Sequence, residues 1–101
     1  MKYKSDKLRK LERNRFSILT DNENVCYLCG RLKSDWHEIY GGGYRQISMK
    51  NGFCVPLCRA CHREITDNPK KALALKIECQ QEFEKTHDRA EFMAKIGKNY
   101  L

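Results

Sequence analysis

Four cysteines in two closely spaced pairs, Cys26-Tyr27-Leu28-Cys29 and Cys58-Arg59-Ala60-Cys61, carry the clearest chemistry in this chain. Each pair can grip a metal from one short turn while the chain between them folds back, and four thiolates suit a tetrahedral zinc ion. The second pair runs directly into His62, and the intervening segment holds Asp35, His37, Glu38, Gly41-Gly42-Gly43 and Asn51. The metal must therefore staple a sizeable loop, and any reactive chemistry is expected beside that staple.

A single domain of 101 residues is too short for a large apolar core, and a structural metal would supply the missing stability. Six cysteines is also an even number, which would suit disulfides in a secreted protein. Against that, Met1-Lys2-Tyr3-Lys4 is followed by charge rather than by an apolar stretch, and no segment is apolar enough to span a bilayer. Reduced cytosolic thiols, paired for metal, are the expectation. Cys54 and Cys79 are left over and read as small buried apolar residues.

The net charge is +7, and much of it lies in the first sixteen residues. There Lys2, Lys4, Lys7, Arg9, Lys10, Arg13 and Arg15 are opposed only by Asp6 and Glu12. Such a stretch suits a phosphate backbone, since each neutralised phosphate releases counterions, but a solvated helix face would look the same. Leu8, Leu11 and Arg15 continue at helical spacing, so one side can dock while the rest stays charged.

The elements that must position these groups follow from the chain's punctuation. Residues 1–25 read as a basic N-terminal helix and a polar turn, residues 26–65 as the stapled core, and residues 66–101 as C-terminal helices, all in one domain. Trp36 to Tyr40 has the aromatic and β-branched content of a strand, broken by the three glycines, and Phe53 to Leu57 reads as a second strand. Pro56 cannot donate to a ladder, so that strand is short or at an edge. Cys58 to about Ile65 begins a helix. Asp67-Asn68-Pro69 starts another, on which Ala72, Leu75, Cys79 and Phe83 recur on one face as core. Asp88 and Glu91 stand at capping-box spacing before a last short helix, with Phe92 and Ile96 inward and Gly97 at its end. His87, at the turn between them, reads as inert.

Cys26-x-x-Cys29-Gly30, then His37-Glu38-Ile39 before a glycine run, then Leu57-Cys58-x-x-Cys61-His62, together resemble the HNH nuclease family, above all its small zinc-stapled members encoded in bacteriophages and prophages. The resemblance covers Cys26 to about Ile65. It implies an α+β fold, a zinc-stapled ββα-metal (His-Me finger) domain with flanking N- and C-terminal helices. It also implies hydrolysis of a phosphodiester bond in DNA beside a magnesium or manganese ion, while a strand histidine deprotonates the attacking water.

Carried over residue by residue, Cys26, Cys29, Cys58 and Cys61 match the structural zinc ligands, and His62 matches the helix ligand of the catalytic cation. The strand departs from the family pattern, because Glu38 stands where a second histidine is usual. Aligned on Ile39, His37 is a cation ligand and Glu38 takes the base position; a slip of one or two residues makes His37 the base, with Glu38 or Asp35 toward the cation. Alternation puts Asp35 and His37 on one strand face and Glu38 on the other, and imidazole titrates near working pH, so His37 is favoured as base. Asn51 is the expected orienting residue, and Arg45 and Lys50 are expected to face phosphates.

The expected function is a metal-dependent DNA endonuclease acting on double-stranded DNA in the cytoplasm of a bacterial host, with no membrane role. A homodimer and phage proteins are further partners compatible with the resemblance. The alternative is a non-catalytic DNA-binding or adaptor module in which Glu38 records loss of the base. A thiol redox protein is a third reading, and it leaves the matched spacing of the two pairs unexplained.

Overall fold

A computed structural model of the protein describes residues 5–101. The expected cations Lys2 and Lys4 lie outside the described residues. The architecture is α+β, and the described residues form five α-helices around a two-stranded antiparallel sheet. None of these helices is long and apolar enough to cross a membrane.

Helix α1 (Asp6–Arg13) starts where the Ser5 hydroxyl accepts from the Leu8 N–H, and it buries no residue. It stops two residues short of Arg15, which leaves the helix face predicted for it and turns inward. Strand β1 (Asp35–Glu38) pairs with β2 (Cys54–Leu57) in the register Asp35 to Leu57, His37 to Val55 and Glu38 to Cys54. Both strands are shorter than the sequence suggests. Pro56 sits in β2 opposite Trp36, and its carbonyl accepts from the Tyr27 N–H, which binds the first cysteine turn to the sheet.

The segment between the strands is not the open loop that three glycines imply. After a 3-10 turn over Gly42–Tyr44, helix α2 (Arg45–Asn51) forms and ends at Gly52 with φ of 75°. Its anchor is Ser48, fully buried, whose hydroxyl donates to the Tyr40 carbonyl and accepts from the Tyr40 N–H. A side chain at Gly52 would also meet the Phe16 ring at 2.4 Å.

Helices α3 (Arg59–Asp67), α4 (Pro69–Phe83) and α5 (Arg89–Ile96) follow the predicted boundaries closely. Asn68 accepts from the N–H groups of Lys70 and Lys71 ahead of α4, and Asp88 accepts from the Glu91 N–H ahead of α5. The core is aromatic: Phe53 and Phe92 pack on Tyr40, and Phe53, Phe83 and Phe92 on one another, with ring centroids 5.4–6.0 Å apart, mostly edge to face. Tyr40 donates its hydroxyl proton to the Lys76 carbonyl. Gln80, fully buried on α4, donates to Glu84 and Asn99 and accepts from the Tyr100 N–H, so it clasps the C-terminal residues without leaving a polar atom unpaired. Cys54 and Cys79 are fully buried, and burial pushes both thiols up to about 12, where they are inert apolar fillers.

Candidate functional site

The two cysteine pairs meet. The Sγ atoms of Cys26, Cys29, Cys58 and Cys61 all lie within 4.8 Å of one another, a cluster that could hold a metal ion and the one such cluster among the described residues. The first pair sits on a tight turn closed by the Gly30 N–H on the Cys26 carbonyl, with Gly30 at φ of 79° and the Cys26 N–H on Arg31. The second pair belongs to α3: Cys58 is its N-cap, and its sulfur accepts from the Cys61 N–H at 3.5 Å. Burial raises the Cys26 thiol, but backbone N–H groups of Cys58, Cys29 and Leu28 outweigh it and bring the group down to about 6. Cys61 moves the other way, raised by burial and by the neighbouring sulfurs of Cys58, Cys26 and Cys29. Four thiols crowded in this way cannot all ionise until a cation joins them.

One residue beyond the cluster, His62 projects from the first turn of α3 toward β1. Its Nδ1 lies 3.3 Å from Asp35 Oδ2, and its ring stands edge-on to His37 with centroids 5.2 Å apart. Strand alternation supplies this arrangement, since Asp35 and His37 share the face that α3 covers. Burial lowers His37 to about 4, with the facing His62 and Lys76 adding to the effect and Glu38 opposing it. His37 is therefore a neutral imidazole at neutral pH, with proton-accepting capacity. A cavity of about 260 Å³ opens beside the pair, lined by Asp35, Arg59, His62, Arg63, Thr66 and Asp67.

Glu38 stands apart from this group, on the strand face that alternation assigns to it. On the opposite strand face its Oε1 accepts from Arg15 at 2.6 Å and lies 3.4 Å from Arg45 Nε, while Glu12 approaches the same two arginines at 3.6 and 3.2 Å. Arg45 is thus committed to carboxylates rather than turned toward phosphates. Asn51 is likewise drawn elsewhere: its amide donates to the Ile47 carbonyl of its own helix, and it lines a different cavity with Phe16, Lys50 and His87. Lys50 is exposed at the end of α2. His87 stacks flat on Phe83, centroids 4.2 Å apart. The sequence reading missed Arg15 as the partner of Glu38, 23 positions away, and missed that Arg59 and Arg63, four residues apart, share a helix face with His62.

The model of a family described as a protein of unknown function (DUF968) matches residues 4–94, and the chain belongs to that family. No curated protein and no solved structure gives a significant match.

Proposed function

We propose that this member of the family is a metal-dependent DNA endonuclease, and the observation that carries the reading is the group of Asp35, His37 and His62 one residue from the cysteine cluster. Asp35 and His62 would hold a magnesium or manganese ion, supplying two protein ligands. When bound, that cation supplies charge neutralisation at the phosphate and the leaving oxygen. His37, neutral and partly buried beside them, takes the proton of the attacking water. The strand and α3 hold the two imidazoles at a fixed separation.

Cys26, Cys29, Cys58 and Cys61 would hold zinc. The 3.6 Å between the Cys29 and Cys58 sulfurs is close to the edge of about 3.8 Å expected of a tetrahedron with Zn–S bonds near 2.3 Å. In this reading the thiolates fix the first turn of α3 and hence the position of His62. Two paired strands followed directly by α3, beside the cysteine cluster, support the HNH resemblance and its ββα-metal frame, with α2 inserted between the strands. The exposed cations of α1 and the net charge of +7 support double-stranded DNA as the partner. The cytoplasm of a bacterial host is the matching compartment, and a homodimer would set two such sites on one duplex.

Glu38 favours a second reading, a DNA-binding module without turnover, because the position of the family's second histidine is filled here by a carboxylate locked to Arg15. Plasmid cleavage by zinc-loaded protein, with and without magnesium or manganese, separates the two. Metal-dependent nicking that His37→Ala and His62→Ala abolish, with zinc content intact, supports the nuclease. Intact plasmid with DNA still bound supports the binding module instead.

A further inference from the structure

Helix α3 carries a row of side chains that the chemistry above leaves unused. Arg59, His62, Arg63 and Thr66 fall at i, i+3, i+4 and i+7, so they share one face, and all four line the 260 Å³ cavity with Asp35. Arg59 and Arg63 are exposed, and neither has an ion-pair partner among the described residues. Arg15, Arg45 and Arg89 are each held by a carboxylate, whereas Arg9, Arg13 and Arg31 are also without an ion-pair partner among the described residues but do not line this cavity. A guanidinium left unneutralised at the mouth of a cleft is suited to a phosphate, which it meets with two parallel N–H donors. Asp67, the remaining group of the cavity, lies at the last position of α3.

We infer that Arg59 and Arg63 grip the phosphates flanking the one at Asp35 and His62, so that a nucleic-acid strand lies along α3. The inference rests on the nuclease reading and specifies its substrate, a polynucleotide with a further phosphate on each side of the scissile bond. Arg59 precedes His62 by three residues and Arg63 follows it by one, about 4.5 Å and 1.5 Å along the helix axis, so the two charges bracket the central residue. The row gives the site a direction, since the strand must follow the helix. A lone phosphodiester between neutral groups meets only Asp35, His37 and His62.

The test compares two substrates with the metal-loaded full chain, a duplex oligonucleotide and bis(p-nitrophenyl) phosphate. The ratio of their kcat/KM values is expected to fall about tenfold in Arg59→Ala and again in Arg63→Ala. A ratio that stays within twofold of the wild type overturns the assignment. Binding of the same duplex without divalent cation reads the arginines independently of turnover: the slope of log Kd against log salt should fall by about 0.9 for each phosphate contact removed. If the wild type hydrolyses neither substrate, the nuclease reading fails, and the slope still decides. A slope unaltered in both variants overturns the phosphate grip.

Discussion

Removing the charge of Glu38 tests whether that residue anchors the fold or takes part in a reaction. Its carboxylate is 2.6 Å from Arg15, with the two side chains 13% and 17% exposed. Breaking a fully buried pair costs about 3–5 kcal/mol because one charge is stranded. Here some water remains and Glu12 stays 3.6 Å from Arg15, so about 2 kcal/mol is expected for Glu38→Ala. Glu38→Gln keeps an acceptor oxygen and should cost about 1 kcal/mol. Arg15 Nε is already buried without a hydrogen-bond partner, which leaves the guanidinium little means of replacing what it loses. With a urea m-value of about 1.5 kcal/mol/M, the Ala variant should unfold at a midpoint lower by about 1.3 M. Replacing the pair together, Arg15→Met with Glu38→Leu, should be less damaging than the sum of the single changes. Plasmid nicking per folded molecule, measured well below the unfolding transition, should stay within about twofold for Glu38→Gln, whereas loss of a general base costs about 10²–10⁴. An unmoved urea midpoint with nicking reduced a hundredfold would refute the anchoring role and restore Glu38 to the chemistry.

Three further outcomes are expected. Cys58→Ser removes a cluster sulfur while leaving a hydroxyl that can still cap α3, so it should abolish stoichiometric metal binding and lower Tm by about 10 °C, since metal affinity in such sites is folding free energy; calorimetry with metal analysis checks both. His37, lowered from an ordinary 6.5 to about 4, is less protonated folded than unfolded, so its contribution to stability is complete above pH 6.5 and is lost as pH falls toward 4. Between pH 7 and 5 the loss, discounted for partial solvation, is about 1–2 kcal/mol, and His37→Leu should remove that share of the slope in urea titrations run at each pH; parallel slopes would contradict it. Gly52→Ala forces an L residue to φ of 75° with its Cβ 2.4 Å from the Phe16 ring, and should cost at least about 2 kcal/mol, read as a lowered urea midpoint; an unchanged midpoint would mean that Phe16 yields freely.

Local signals proved the most readable. Asn68-Pro69, Asp88 with Glu91, and Gly97 act within four residues of themselves, and each marks a helix end where the spacing places it. The cysteine pairs were legible because metal chelation imposes its own spacing, and alternation was enough to set Asp35 and His37 apart from Glu38. Helix α2 escaped because only Ile47 and Met49 are apolar in a seven-residue segment between Gly43 and Gly52, and its stability comes from Ser48 binding the backbone of Tyr40. Asn51 was misread for the same reason, since a residue taken as loop is in fact the last turn of a helix with its amide satisfied there. The Arg15 to Glu38 pair and the Gln80 clasp join positions 23 and 20 residues apart, and no spacing rule foretells which charge or amide the fold will bring to another.

Cys58 directly follows strand β2, caps α3 and contributes a sulfur to the cluster, and only three residues separate it from His62. That economy carries a vulnerability to oxidants. Cys29 is the exposed member of the four, and a peroxide or disulfide reaching it would convert a sulfur that could hold a metal into one that cannot. The damage would then pass to the helix start, and with it to the placement of His62. Handling under air should therefore lower metal uptake, and a reductant able to restore the thiol should recover it.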